Sequence, residues 1–426
     1  MSKQKVELLS PAGNLEKLKI AIKYGADAVY GGVSHFSLRI RAGKEFTFET
    51  FKEGIDYAHA RGKKVYATIN GFPFNSQIEL LKKHIIAMAE LKPDAFIVAA
   101  PGVVRLCREL APEIDIHLST QANVLNYLDA QVFWDMGVKR IVVAREISLK
   151  DVVEIKKHLP DMEIEIFVHG SMCFAYSGRC LISAVQMGRV PNRGSCANDC
   201  RFEYTLYAGN DEHGSLFRLE EDPGVGTYIF NSKDMNLASH IKEILDSGAV
   251  DSLKIEGRTK SPYYAAVTAK AYREAIDDYE NGIFEANKYQ KELHTTKNRG
   301  FTDAYLVHRP FEKTDSQNHD YALSKGSYEV TGLVTEDENH FLCKYKVYPN
   351  EDIEIFTPKG QELQTCDNDI GKVFLKDGIY YINFKKILTD TNKELESVHS
   401  GNVNKIQLPC SLPYLTMFRI ENQEEN

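Results

Sequence analysis

Residues 6–30 read VELLSPAGNLEKLKIAIKYGADAVY. A short aliphatic and β-branched run at 6–9 is followed by apolar residues at helical spacing over 15–24, and then by a second short run at 28–30. Gly25-Ala26-Asp27 stands between the helical segment and the second run, as is typical of a glycine that ends a helix and leads into a strand. The stretch therefore predicts a strand, a helix and a second strand.

The same alternation continues through the first 260 residues. Eight short apolar runs can be identified, at 6–9, 28–30, 64–68, 95–98, 115–118, 140–143, 163–168 and 252–255. Helical spacing recurs between them, for example at 48–61, 77–91 and 149–158. Eight such units predict an α/β fold, a TIM-like (β/α)8 barrel with its active site in the loops after the strands. An open doubly wound sheet is the alternative, but no Gly-x-Gly-x-x-Gly follows the first strand.

The seventh loop differs from the others in its length. More than eighty residues separate Val168 from Ser252, and they contain four of the eight cysteines. The other four, which we interpret as small buried hydrophobic residues, are scattered along the chain at Cys107, Cys343, Cys366 and Cys410. An insertion of this length is usually functional, so the cysteines within it are the first candidates for a site.

The clustered cysteines have the spacing Cys173-x6-Cys180-x15-Cys196-x3-Cys200. Thiolates select zinc or iron–sulfur clusters, and structural zinc sites use cysteine pairs with two to four intervening residues. Only the last pair is that close, so the wide gaps favour a bulkier iron–sulfur cluster. Zinc, unligated thiols and a redox dithiol remain the alternatives.

A family resemblance rests on five motifs. Residues 165–183 read EIFVHGSMCFAYSGRCLIS, and the other motifs stand at 8–13, 119–123, 231–234 and 254–258. On these motifs the whole chain resembles the collagenase-like peptidase family U-32. The resemblance is strongest to a branch of oxygen-independent hydroxylases that make 5-hydroxyuridine at the wobble position of tRNA.

Membership of that branch implies a [4Fe–4S] cluster, a tRNA partner and prephenate as the source of the hydroxyl group. It also implies that the clustered cysteines are the ligands. Some relatives take one ligand from near the Ser-Lys-Asp motif, but here Met235 and Asn236 follow Asp234. Cys200 is therefore the expected fourth ligand.

Polar residues at the carboxyl ends of the predicted strands should face the substrate. We expect catalytic roles for His169, Lys254 and Glu256, and substrate-binding roles for Arg39, Arg41, Asn70, Gln121, Asn123, Arg145 and Arg258. Guanidinium groups bind carboxylates in bidentate fashion, as a dicarboxylate such as prephenate would require, and they also bind RNA phosphates. In the structural alternative, the arginines pair with carboxylates of the rim, His169 bonds the loop backbone, and Tyr30 belongs to the core.

From residue 321 onward the pattern changes to short alternating runs separated by turns, which predicts a small all-β domain of barrel type. The predicted organisation is a barrel at 1–286 with the cluster-bearing insertion at 169–250, a linker at 287–320 and the β-domain at 321–426.

Composition restricts the partners. The formal net charge of −8 provides no general attraction for nucleic acid, so RNA binding requires a local basic patch. Candidates at 61–64, 156–157 and 385–386 are typical of solvated helix ends or strand edges. The start of the chain is polar, and no apolar run approaches the roughly 20 residues that span a bilayer, so we expect a cytoplasmic protein without a membrane partner.

The hypothesis from sequence is a cluster-dependent tRNA uridine hydroxylase. A collagenase-type protease is the first rival, although the chain contains neither His-Glu-x-x-His nor Gly-x-Ser-x-Gly and offers only Cys173 with His169 as a cysteine-protease pair. A non-catalytic scaffold is the second rival. The sequence leaves the oxygen donor and the oligomeric state, homo-oligomer or hetero-oligomer, open.

Overall fold

A computed structural model describes residues 5–422, apart from 34–35, 39–44, 211, 213, 220–226, 308–315, 325 and 403. The chain divides into two compact units. The first comprises Met1–Ile22, Ala26–Gln290 and Asn298–Ser324, and the second comprises Lys23–Gly25, Lys291–Lys297 and Lys325–Asn426.

Strands and helices alternate along the first unit. The elements up to the long insertion are β1 (Glu7–Pro11), α1 (Leu15–Lys23), β2 (Ala28–Gly31), α2 (Phe48–His59), β3 (Lys64–Ile69), α3 (Ile78–Glu90), β4 (Ala95–Val98), α4 (Pro101–Leu110), β5 (Asp115–Leu118), α5 (Tyr127–Asp135), β6 (Arg140–Val142), α6 (Leu149–His158) and β7 (Glu163–Ser171). The chain then continues through α7 (Ile182–Met187), β8 (Leu206–Asn210), β9 (Ser215–Leu219), β10 (Asp234–Asn236), α8 (Ile241–Asp246), β11 (Ser252–Ile255), α9 (Pro262–Glu280), α10 (Ala286–Leu293) and β12 (Phe301–Thr302).

Strands β1 to β7 and β11 form a closed parallel barrel. Each strand from β1 to β7 pairs with the next, and β11 pairs with both β7 and β1, which closes the sheet. The strands are buried on both faces, and their inward side chains form an apolar layer of Leu9, Ala28, Tyr30, Tyr66, Ala95 and Ile97. The prediction of a TIM-like barrel with a cysteine-bearing insertion after the seventh strand is confirmed.

Several surrounding helices begin at a side-chain cap, which fixes where each loop ends. The side chains of Thr47, Asn126, Ser148 and Ser261 each accept a hydrogen bond from a backbone N–H three residues further on, at the starts of α2, α5, α6 and α9. Such caps satisfy backbone donors that have no partner within the helix.

A buried ionic network crosses the barrel interior. Arg140 Nη1 lies 3.1 Å from Glu165 Oε2, and Lys254 Nζ lies 2.7 Å from Glu165 Oε1. Arg140 also pairs with Glu163 and Glu7 near the start of the strands. The sequence alternative pairs Glu165 with an arginine of the rim, whereas its partners in the structure are Arg140 and Lys254 inside the barrel.

Strand β7 extends beyond the barrel wall. Its last residues pair antiparallel with β10, which in turn pairs parallel with β12. Asp234 of β10 forms a buried ion pair with Arg299. Residues 287–320, for which the sequence predicts a linker, thus include α10 and β12. Several polar side chains of this segment, among them Thr295, Thr296, Asn298 and Arg299, are buried because they find hydrogen-bond partners here, which composition does not reveal.

The second unit is all-β. Its strands are β13 (Tyr328–Val334), β14 (His340–Cys343), β15 (Asp352–Phe356), β16 (Cys366–Asp367), β17 (Gly371–Lys376), β18 (Ile379–Phe384), β19 (Ile387–Leu388), β20 (Glu394–Leu395), β21 (Ile406–Gln407) and β22 (Met417–Glu421). Eight of them form one antiparallel sheet in the order β16-β17-β18-β15-β22-β13-β14-β21 around an apolar core, and β19 pairs with β20. The all-β prediction is confirmed, and within the described residues the sheet is a half-barrel whose edge strands do not pair with each other.

Among the described residues, no helix combines the length and the apolar character that crossing a membrane requires.

Candidate active site

The four clustered cysteines lie on turns at the carboxyl end of the barrel strands. Cys173 follows β7, Cys180 precedes α7, and Cys196 and Cys200 lie in the turns after α7. All four line one pocket of about 110 Å³ that is partly open to solvent. Left-handed backbone at Gly188 (φ +65°), Gly194 (φ +92°) and Asn198 (φ +64°) makes the reversals that bring them together.

The thiols are close enough to influence one another electrostatically. Burial raises the pKa of the Cys180 thiol, and Cys173 and Cys196 raise it further. Burial also raises the pKa of Cys200, which the other three cysteines raise and Arg201 lowers. At Cys180 and Cys200, therefore, neighbouring thiolates disfavour ionisation unless a cation balances the charge.

Hydrogen-bond donors approach two of the sulfurs. The backbone N–H of Ile182 donates to Cys180 Sγ at 3.4 Å, and Arg145 Nη1 lies 4.0 Å from Cys173 Sγ. Donors of this kind stabilise negative charge on a ligating sulfur and tune a bound metal. These four cysteines are the residues that could hold a metal cofactor. In the described part of the chain, no three His, Cys, Asp or Glu side chains are close enough together for a single metal ion.

Three charged side chains from the end of β11 line the same pocket: Lys254, Glu256 and Arg258. Lys254 Nζ lies 4.4 Å from the centroid of the Tyr30 ring, in addition to its ion pair with Glu165. Glu256 Oε2 accepts a hydrogen bond from Tyr30 Oη at 3.4 Å. A buried ammonium group, a carboxylate and a phenol therefore lie close together at the floor of the pocket.

Arg145 and Arg258 both line the pocket, and each is held by different neighbours. Arg145 Nη1 donates to the carbonyl of Ser171 at 3.1 Å, and its Nη2 lies 3.6 Å from Glu256 Oε2. Arg258 Nη1 donates to Ser37 Oγ at 2.7 Å and to Thr68 Oγ1 at 2.9 Å. Each guanidinium is thus held in a fixed orientation beside the cysteines.

The structure brings two further predicted residues to the pocket. Asn70 and Gln121 line it. Asn123 does not, because it adopts the left-handed conformation (φ +61°) and its amide atoms are buried, with no hydrogen-bond partner among the described residues. Arg39 and Arg41 lie outside the described residues.

His169, predicted as a catalytic acid–base group, lies outside the pocket lining. Its Nδ1 is 3.3 Å from Tyr272 Oη, and the ring packs among aromatic side chains that include Phe301. The reason is a β-bulge: Lys254 pairs with Phe167, but Ile255 pairs with His169, so β7 has one extra residue there. Phe167 consequently faces the pocket, whereas His169 turns away from it.

Sequence reasoning missed several pocket residues. Tyr30, expected in the core, belongs to the apolar layer and also reaches the pocket with its hydroxyl group, which donates to the carbonyl of Ile255 at 2.9 Å. Thr68, Phe167 and Arg201 also line the pocket. Tyr30 and Thr68 stand near the carboxyl ends of β2 and β3, so their position along the strand is the signal that predicts them.

Comparison with known proteins places the chain in a family. Residues 13–316 match the model of Peptidase family U32. The chain is 64% identical over 416 residues to tRNA hydroxylation protein P of Helicobacter pylori (strain J99), covering 98% of this chain and 99% of that protein. It is 40% identical over 398 residues to tRNA hydroxylation protein P of Escherichia coli (strain K12), covering 84% and 87%. A collagenase of Porphyromonas gingivalis (strain W83) is 31% identical over 314 residues, covering 71% and 73%. The chain therefore belongs to peptidase family U32.

Proposed function

We propose that this protein is a tRNA-modifying enzyme that hydroxylates the wobble uridine to 5-hydroxyuridine. It carries a [4Fe–4S] cluster on Cys173, Cys180, Cys196 and Cys200 and takes the hydroxyl group from a carboxylate donor such as prephenate. The observation that carries the proposal is the convergence of these four cysteines on a pocket that also contains Arg145, Lys254 and Arg258.

The relatives support the choice of substrate. The two proteins at 64% and 40% identity share one name, tRNA hydroxylation protein P, and the alignments cover most of both chains. A TIM-like barrel by itself hosts many unrelated reactions, so the fold does not select RNA. The substrate class is therefore assigned through these relatives, and the chemistry through the pocket.

The donor set supports a cluster over zinc. A structural zinc ion holds four ligands at about 2.3 Å from one centre, which requires the sulfurs to be closely grouped. All four cysteines line one pocket, and their sequence gaps of six and fifteen residues are wider than those of the cysteine pairs in a structural zinc site. Each thiolate of a [4Fe–4S] cluster binds a different iron, so its four sulfurs stand further apart. When bound, the cluster would supply redox and substrate-activating chemistry at this pocket.

The cationic side chains have separate tasks in this proposal. Arg258, oriented by the hydroxyl groups of Ser37 and Thr68, binds a carboxylate of the donor. Arg145 stands between Cys173 and Glu256 and stabilises negative charge on the sulfur side. Lys254 provides a buried positive charge at the floor beside Tyr30. Together these groups hold a small anion against the cysteines.

A peptidase mechanism receives less support from the geometry. A cysteine nucleophile needs a histidine within hydrogen-bond reach. His169 lies outside the pocket lining and approaches Tyr272, whereas Cys173 approaches Arg145. The family name alone does not assign proteolysis to this chain.

The proposal is tested in a strain that lacks the gene, by mass spectrometry of nucleosides from total tRNA. Nucleosides derived from 5-hydroxyuridine should disappear and return with the wild-type chain. Cys196→Ser should fail to restore them and should purify anaerobically without the visible absorption of an iron–sulfur cluster. The matched control Cys366→Ser, in the second unit, should restore both.

Two results would refute the proposal. One is an unchanged level of these nucleosides in the deletion strain when no second gene supplies the modification. The other is an iron-free, colourless protein that cleaves denatured collagen and loses this activity in Cys173→Ser, which would favour the peptidase.

A further inference from the structure

A second groove adjoins the cysteine pocket. Its lining includes four cationic side chains, Arg189, Arg201, Lys260 and Arg299. The small residues Gly194, Ala197 and Gly257 form part of its wall, which leaves room for a ligand between the cations. We propose that this groove binds the phosphate backbone of the RNA substrate; the proposal rests on the function proposed above.

The groove has more cationic than anionic side chains among the residues that the structure describes. Arg299 pairs with Asp234, and Glu256, the carboxylate in the lining, pairs with Arg145. In the part of the chain that the structure describes, the side chains of Arg189, Arg201 and Lys260 have no ion pair with a carboxylate.

The cations of the groove also act on one another. Burial lowers the pKa of Lys260, Arg299 and Arg201 lower it further, and Asp234 and Glu256 raise it. A bound anion would relieve both the burial penalty and this repulsion, because it favours the charged form of every cation around it.

In each of the other basic segments at least one lysine is already paired with a carboxylate. Lys63 lies 3.0 Å from a carboxylate oxygen of Asp27, and Lys156 lies 2.9 Å from Asp251. Lys385 likewise pairs with Asp367. A chain with a formal net charge of −8 repels RNA on average, so binding requires local cations that remain uncompensated. The groove provides them, whereas these three lysines are already neutralised.

The position of the groove links it to the chemistry. Cys196, Asn198, Arg201 and Glu256 line both the groove and the cysteine pocket. A phosphate held in the groove therefore lies beside the pocket, so that a base next to this phosphate can enter the pocket. A small carboxylate would need only the cations inside the pocket. The additional cations of the groove suit an extended polyanion.

The test measures RNA binding by the anaerobically purified, cluster-containing full chain. Fluorescence anisotropy follows a labelled anticodon stem–loop RNA over a series of KCl concentrations. Arg201→Gln combined with Lys260→Gln should weaken binding about tenfold or more near 0.1 M salt, and should lower the slope of log K against log salt by about 2. Arg189→Gln should lower this slope by about 1. Lys385→Gln, the matched control, removes one charge elsewhere and should change neither quantity.

Each outcome decides the inference. Unchanged affinity and slope in the double variant, with a wild-type chain that binds RNA, would overturn the groove assignment and leave the proposed function standing. A wild-type chain that does not bind RNA would count against both. Prephenate that displaces RNA from the wild type but not from the double variant would reassign the groove to the small donor. If the double variant loses its cluster spectrum or unfolds, Arg189→Gln decides, because the Arg189 side chain is exposed and makes no hydrogen bond or ion pair with the other described residues.

Discussion

Glu165 is a carboxylate that two buried cations of the barrel interior share. Its side chain is fully buried between Arg140 and Lys254. Burial by itself would raise the pKa of Glu165, but Lys254 and Arg140 lower it below its usual value. The carboxylate therefore stays ionised in the folded protein, and its charge is needed to balance two buried cations.

Glu165→Gln should destabilise the protein by about 3–5 kcal/mol at neutral pH, since it leaves these cations without their shared partner. Urea denaturation measures the loss. Asp115→Asn is the control, because it breaks the exposed pair with Lys139 and should cost at most about 1 kcal/mol.

The pH dependence of this difference has a defined sign. A carboxylate with a lowered pKa in the folded state contributes stability that is fully present above its unfolded pKa, about 4.3. That contribution is lost as pH falls through the folded pKa. The gap between wild type and Glu165→Gln should therefore shrink in acid, and a gap that widened would contradict the assignment.

At the scale of elements, the end of β7 is where three strands meet and where the cysteine insertion begins. Gly170 has φ +111° there, and a Cβ atom at this position would lie 2.5 Å from the carbonyl oxygen of Glu256. Only glycine allows both the backbone conformation and the close approach. The placement of Cys173, three residues further on, depends on this contact.

Gly170→Ala should destabilise the fold by more than about 1 kcal/mol and reduce the iron bound per chain, measured by chemical denaturation and metal analysis. Gly102→Ala in α4 is the matched control, because nothing lies within 4 Å of its added Cβ. The control should be neutral or stabilising by up to about 1 kcal/mol, since alanine is the better helix former. Equal effects of the two substitutions would show that the approach to Glu256 is unimportant.

Sequence periodicity predicts elements well where burial dictates them. The run at 64–68 becomes β3 (Lys64–Ile69), because a strand covered on both faces needs an unbroken apolar sequence. The bulge opposite Lys254 leaves no such signature, and it decides that His169 is not in the pocket. The buried Arg299 likewise looks like a solvated residue in the sequence, because its partner Asp234 lies 65 positions away along the chain.

At the scale of the whole molecule, the insertion between β7 and β11 buries little of its apolar side-chain surface. Many of its apolar side chains are exposed, among them Leu181, Val185, Met187, Leu216 and Phe217. A segment with so little buried surface needs another constraint, and bound metal contributes folding free energy in such cases.

Iron removal by an anaerobic chelator should therefore make residues 173–219 about tenfold more sensitive to limited proteolysis, which corresponds to about 1.4 kcal/mol of local stability. Mass spectrometry of the fragments locates the cuts. The second unit serves as the internal control, and its cleavage rate should not change. Uniform cleavage along the chain, or none in the insertion, would argue that the cysteines do not hold this segment together.

The ion pair between Arg299 and Asp234, with β12 beside β10, has a practical consequence for dissecting the protein. A fragment that stopped after the last barrel helix, at Glu280, would include every barrel strand but would leave Asp234 buried without its cation. A piece of the first unit that keeps this ion pair must therefore extend past Arg299 and β12, and the unit itself runs to Ser324. Truncation studies that cut earlier would measure the loss of that cation instead of the independence of the barrel.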